Sequence, residues 1–519
     1  LKGLGSLVAA GLIFGVAAAW AVPPPWPLGD SEAAYALQAR ELILGRPAAV
    51  SEALPVVGAA LGLFLAGDSD YAARLAGMLT GPVLAGLALA LGPGLGFTRA
   101  VVLAVLWGLS PVLALGGRTV GLAAWVNLFT ALAAFGLIRW QSTGRTVFFN
   151  AAISAAGILA ASGLPGWAAL GGLGAAGALS FRFAGKPPDL RWGELLPAMV
   201  GAGAVLAALG GVVGLPTEPA PAPAAGLPSP ALLAVYEPLT LTAGATGLLG
   251  GLGRLRPGAR PDFVTALGVF WPAVGVLAVL LPVPVDPLTL LGPAVLGLGL
   301  AASRPLATLL ETVCRDLRQV GFSAGQLALG GTLSVAAVGF LVVTLAGMAS
   351  GQMSPRVLAG IGAALGGLAA VGLWLGRDPG GRRWLVLGGL VLLGLFTAHQ
   401  FFRVSYGPGP ELVGPPRPGP DLTYLARSAR ELSDRPLTRG GVRLEQVPPS
   451  VRWALRRVGE GPAGGLRVEP FRGDSGLAVV KIPAGYPSFQ DGRAFLRWLL
   501  YRAYDRLRTV DFVLKPGGL

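Results

Sequence analysis

Apolar runs of 15 to 22 residues recur between positions 4 and 402 of this 519-residue chain, and they constrain its fold more than any other feature. A run of that length is long enough to cross the hydrocarbon of a bilayer as a helix. The runs fall near 4–22, 71–91, 100–115, 119–138, 147–162, 166–181, 194–214, 238–253, 262–281, 288–303, 326–347, 356–376 and 384–402. Charged residues make up 13% of the chain, against roughly 25% in a soluble domain. The chain therefore reads as mainly α, a polytopic membrane protein of about thirteen transmembrane helices. A soluble protein with one large core is excluded.

The net charge of +14 does not imply a nucleic-acid partner. Arginines cluster in alternate short loops: Arg139 and Arg145; Arg182, Lys186 and Arg191; Arg254, Arg256 and Arg260; Arg304, Arg315 and Arg318; Arg377, Arg382 and Arg383. The loops between them, 116–118, 163–166, 282–287 and 349–355, are nearly free of basic residues. By the positive-inside rule this places a multi-pass protein in the inner (plasma) membrane, with a cytoplasmic N-terminus and an extracytoplasmic C-terminal segment. The alternation holds only if 53–66, rich in Ala, Leu and Gly, lies in the interface instead of crossing. The first run has no small-x-small cleavage site and leads into Pro23-Pro24-Pro25-Trp26-Pro27, so it reads as a retained span.

The pattern divides the chain into a transmembrane domain at 1–406, a Pro/Gly linker at 407–420 and a small α+β extracytoplasmic domain at 421–519. The transmembrane domain includes a first outer loop, 23–69, and a Pro/Ala-rich outer loop, 215–237, that can turn helical only after Pro230. In the last domain, helices are expected at 421–432, 449–458 and 492–507, and a strand at 477–482. Cys314 and His399 are the only residues of their kinds. That removes an internal disulfide, thiolate metal clusters, His-rich metal sites and most His-dependent nucleophiles, so no metal or cofactor is expected.

Two features on the expected outer side can carry chemistry. Asp30 and Glu32 open a polar helix in the first outer loop, and Arg118 sits in the outer turn between two spans. A carboxylate can take a proton from an acceptor hydroxyl, and a guanidinium can hold a lipid phosphate. The plainer readings stay open: Asp30 as an N-cap on a solvated helix ended by Gly45 and Pro47, and Arg118 as an interface anchor.

The run from Asp30 to Leu42, DSEAAYALQAREL, resembles the first-loop signature D-E-x-x-Y-x-x-x-A-R-E of GT-C-fold membrane glycosyltransferases, of the protein O-mannosyltransferase and lipid A aminoarabinose transferase type. Gly67 to Leu75, GDSDYAARL, is similar to the family's G-x-S-E-x-A-A-R-L. Leu109-Ser110-Pro111 through Gly117-Arg118 resembles its L-S-P and A-R-x-D turn. The three cover about the first 140 residues in matching order.

The resemblance implies transfer of a sugar from a polyprenyl-phosphate donor to a glycan, lipid or protein acceptor on the extracytoplasmic side. Asp30 would be the general base and Glu32 the second acid, displaced by one residue. Arg40, Arg118 and Tyr35 would contact substrate. Three departures stand against the pattern. Ser31 separates the acids, Thr119 and Val120 replace the residues after the turn arginine, and Ala53-Leu54-Pro55 stands in place of K-P-P. They support a second reading, a catalytically degenerate structural or assembly subunit with partner proteins. A third reading, a transporter or flippase, lacks the internal repeats and mid-membrane charges such proteins carry.

Overall fold

A computed structural model of the chain describes residues 2–46, 52–184, 199–200, 229–255, 261–280, 286–320, 379–406, 411, 421–433, 442–444, 447–458, 466–470, 478–483, 492–501 and 509–516. The expected spans 194–214 (save its residues 199 and 200), 326–347 and 356–376, most of the 215–237 loop, and all of the 407–420 linker but Glu411 lie outside them.

Among the described residues, five helices are long and apolar enough to cross a membrane: Asp70–Ala90, Leu122–Thr143, Leu164–Ala184, Phe263–Leu280 and Pro287–Arg315. Two further helices are long and apolar enough only when taken together as a bent pair. The expected continuous span at 100–115 is two helices, Phe97–Gly108 and Pro111–Gly117, meeting at 54°. Pro111 has no N–H to carry the helix through, and the Ser110 hydroxyl caps the new start by accepting from Leu113 N at 3.1 Å. The expected loop after 303 is also absent, because one helix runs unbroken from Pro287 to Val320. Further expected runs form helices at Lys2–Ala21, Thr146–Ala161, Pro238–Leu252 and Pro379–Tyr406.

The stretch expected in the interface forms the helix Ala53–Ala66, 14 residues. At 1.5 Å per residue it is about 21 Å long, shorter than the hydrocarbon layer, as expected from its composition.

The core of the helical bundle is built on large side chains facing small ones. Trp20, on the first helix, is buried against Gly81 and Gly117, where an added Cβ would lie 2.0 and 2.4 Å from its ring. Its indole N–H donates to Gly108 O at 2.8 Å, using a carbonyl freed by the break in the bent span. Trp107 donates to Leu296 O at 3.2 Å and joins the bent span to the long helix. Val16, Leu84, Leu103, Leu115, Leu291 and Trp271 fill the space between.

The C-terminal elements form a four-stranded sheet of order β1-β2-β4-β3, with β1 Val442–Leu444, β2 Leu466–Pro470, β3 Ala478–Pro483 and β4 Thr509–Pro516. β1 and β2 run parallel, with Val442 opposite Leu466. β4 is antiparallel to both neighbours, with Leu514 opposite Val468 and Phe512 opposite Val480. Helices Asp421–Ser433 and Pro449–Leu455 contribute Leu422, Leu425, Val451 and Leu455 to a small core with Val442, Leu466 and Val468. Of the expected helix 492–507, Gly492–Tyr501 is helical and the remainder lies outside the described residues. Sequence reading found β3 but not β1, β2 or β4: β1 has only three residues, and the alternation in LRVEP and TVDFVLKP is short and broken by charge.

Candidate functional site at the first-loop helix

The first-loop helix spans Asp30–Ile43, with Gly29, not Asp30, as its N-cap. Glu32 reaches back to accept from Gly29 N at 3.0 Å, the carboxylate half of a capping box. The same carboxylate receives Arg74 Nε and Nη2, each at 2.9 Å, and Val120 N at 3.0 Å. Arg74 also donates to Trp26 O at 2.8 Å and Pro27 O at 3.1 Å. Glu32 and Arg74 are each 1% exposed. Four donors therefore fix Glu32 inside the protein, where it ties the loop to the span that begins at Asp70 and to the turn at Val120.

Asp30 occupies the first helical turn and is exposed. Its Oδ1 accepts from Ser450 N at 3.2 Å, so it faces the start of the C-terminal helix Pro449–Leu455. Arg40 is half-buried and lies 3.8 Å from Asp68. Tyr35 donates its hydroxyl to Glu52 Oε2 at 2.8 Å.

Arg118, expected at a donor phosphate, is completely buried. Its Nη1 donates to Val22 O at 3.0 Å and Ser405 O at 3.4 Å; its Nη2 donates to Ala19 O and, at 3.3 Å, to the Tyr406 hydroxyl. The guanidinium stacks 4.8 Å from the Tyr406 ring centre and 5.8 Å from that of Trp20. Burial pulls its affinity for its proton below the usual arginine range, against the opposing pull of Tyr406. Arg118 thus ties the ends of the helices Lys2–Ala21 and Pro379–Tyr406 to the bent pair, and its guanidinium is enclosed.

The structure adds two carboxyl groups that sequence reading missed. Burial raises the pKa of Glu52 above the usual carboxylate range, partly opposed by the Tyr35 hydroxyl. Asp286 is raised to about 6 by burial, opposed by the hydrogen bond from Leu288 N and reinforced by the charge of Glu52. Tyr35 is pushed up by burial and by Glu52. Tyr35, Glu52 and Asp286 therefore interact electrostatically, and two carboxyls share one partly buried environment. Their sequence signal was position alone: each immediately precedes a helix, at Ala53 and Pro287.

With Glu32, Tyr35 and Ala39-Arg40-Glu41 on the matching letters, the signature's leading acid falls on Ser31, and Asp30 stands one residue before it.

No protein-family model and no curated protein matches the chain. Solved structures do. A crystal structure of ArnT from Cupriavidus metallidurans bound to undecaprenyl phosphate is similar with a TM-score of 0.52 at 15% identity, over 88% of this chain and 84% of that one. The apo crystal structure of ArnT from Cupriavidus metallidurans is similar with a TM-score of 0.50, with the same identity and coverage.

The chain has an ArnT-like GT-C fold. The likeness read from the first 140 residues thus extends in three dimensions across most of the GT-C framework. At this level of identity the match speaks for the fold, and the chemistry rests on the residues themselves.

Proposed function

We propose that this protein is an integral membrane glycosyltransferase that moves a sugar from a polyprenyl-phosphate donor to an acceptor on the extracytoplasmic side. The observation that carries the reading is the fold shared with ArnT, which was crystallised with undecaprenyl phosphate. Exposed and partly buried carboxyls in and beside the first loop support it.

In this reading Asp30 is the general base, since it is exposed and only one weak backbone donor holds it. Glu32 acts at one remove, as a positioning residue that holds the loop through Arg74. Arg40, held by one long ionic contact, is the arginine free to turn toward a phosphate. Glu52 and Asp286 form the alternative base, because a carboxyl titrating near 6 takes a proton more readily at neutral pH than an ordinary one.

Transfer from a radiolabelled polyprenyl-phosphate sugar by the purified protein, with Asp30→Asn, Glu52→Gln and Asp286→Asn compared, tests these assignments. A loss of about 10²-fold or more in the Asp30 variant alone supports Asp30. The same loss in the Glu52 or Asp286 variants, with a pH limb near 6 in the native protein, moves the base to that pair.

A second reading is a degenerate subunit that binds the lipid phosphate without transferring sugar. Ser31 in the leading-acid register and the enclosure of Arg118 favour it. Saturable binding of undecaprenyl phosphate with transfer undetectable across donors would establish it; absence of both would remove both readings.

A further inference from the structure

A cavity lies at the other end of the bundle. It has a volume of about 390 Å³ and is walled by Arg99 on Phe97–Gly108, Arg304 on Pro287–Val320 and Arg254 in the turn after Pro238–Leu252. The span that begins at Asp70, beside the first loop, ends at Ala90, and Arg99 opens the return helix. The two features are therefore separated by the thickness of the membrane domain.

An arginine at a helix end ordinarily needs no ligand, because it sets orientation and reaches toward headgroups. Here three converge. Arg99 Nε donates to Ser303 Oγ at 2.9 Å and its Nη2 to Leu300 O at 3.5 Å. Arg304 Nη1 donates to Thr265 Oγ1 at 2.6 Å. These bonds fix both guanidinium groups on the cavity wall, leaving Nη1 of Arg99 and Nε and Nη2 of Arg304 with no acceptor among the described residues.

Among the described residues none of the three arginines forms an ion pair there. Among the described residues Asp262 is the acidic side chain that acts on Arg99 and Arg304, and its Oδ1 already accepts from Thr265 N at 2.5 Å. Three cations face one engaged carboxylate, so like-charge repulsion is left for an anion to relieve. Thr246 and Thr308 add hydroxyls to the wall. Gly250 lines the cavity, and a Cβ there would meet no atom within 4 Å, so a larger side chain has room at that position.

We propose that this pocket binds a phosphate group, as an anionic lipid headgroup or a soluble phosphate compound, at the arginine-rich end of the bundle. The site is independent of the transferase reading, since none of its residues belongs to the first-loop cluster.

The test uses the full chain purified in detergent and freed of lipid. Inorganic phosphate is titrated against melting temperature, and retention is measured in nanodiscs of phosphatidylglycerol against phosphatidylcholine. A saturable rise with phosphate assigns a soluble ligand. Selective retention of phosphatidylglycerol without a response to phosphate assigns a headgroup. In either case, Arg99→Gln/Arg304→Gln weakens binding about tenfold or more. Arg145→Gln, which removes an exposed charge at the same end but away from the cavity, leaves binding unchanged. Gly250→Phe fills the space without touching the arginines and blocks binding, so a folding defect in the double variant does not decide the matter. No binding of either probe overturns the proposal. So does binding that survives both Gly250→Phe and the arginine variant, or that falls equally with Arg145→Gln.

Discussion

Glu32 and Arg74 show what a buried ion pair contributes when four donors meet one carboxylate. Each charge alone would be intolerable in so enclosed a place, and the pair is sustained by bidentate geometry together with the backbone donors Gly29 and Val120. Removing one partner strands the other, so Glu32→Gln or Arg74→Met should cost about 3–5 kcal/mol, read as a fall in melting temperature of the detergent-solubilised protein. The double variant Glu32→Met/Arg74→Met should recover much of that loss; equal damage in single and double variants would show that the ion pair is not the reason. Asp286 gives a second prediction at this scale. Its folded pKa, about 6, lies above the ordinary 3.8, so the folded protein binds the extra proton between those values. Its contribution to stability is therefore present in acid and is lost as pH rises through about 6. Asp286→Asn, which keeps the shape and cannot titrate, should gain on the native protein across that window in melting temperature.

Among elements, the bent span is organised by an acid distant in sequence. Glu237, completely buried, accepts from the Ser110 hydroxyl, from Val112 N at 3.1 Å and from the Thr240 hydroxyl at 2.8 Å. It thus binds the start of the helix that follows Pro111. Burial raises its pKa to about 7, against the pull of Ser110, Val112 and Thr240 in that order. A raised acid favours the folded state at low pH, so stability should decline between about 4.5 and about 7. Glu237→Gln should flatten part of that decline in a pH series of melting temperatures; an unchanged slope would place the titration elsewhere. The break itself was half-legible in Ser110-Pro111, which is a helix start when read locally. The apolar run around it reads as one span, because hydropathy averages over the bend.

For the whole molecule, the decisive contact lies between parts far apart in the chain. Trp453, on the C-terminal helix Pro449–Leu455, is buried with Leu28, Ala33, Ala36, Val56 and Val120. Its indole N–H donates to Asp70 Oδ1 at 2.7 Å. Arg456 stacks on the same ring at 3.7 Å and donates to Asp68 Oδ1 at 2.8 Å. The C-terminal elements thereby cover the first-loop helix. Trp453→Ala should cost about 3–5 kcal/mol and open that contact. Limited proteolysis is the check, with cleavage between 407 and 420 accelerated several-fold over native protein. Unchanged cleavage would mean that the segment is held by other contacts, such as Trp498 against Tyr236.

Hydropathy and local signals alone determined that this is a mainly helical membrane protein. They placed the short helix 53–66 and most of the described helices, and gave a motif likeness that the three-dimensional comparison extends to the fold. Those properties are local: bilayer thickness sets run length, and capping and proline set the ends. Tertiary structure alone decided the fate of the charged side chains. Glu32 and Arg118 look like active-site groups in one dimension, yet both are enclosed, because their partners lie 42 and nearly 290 residues away. Glu52, Asp286 and the three arginines of the opposite pocket look ordinary in sequence. Their character comes from burial and from neighbours that only folding brings close.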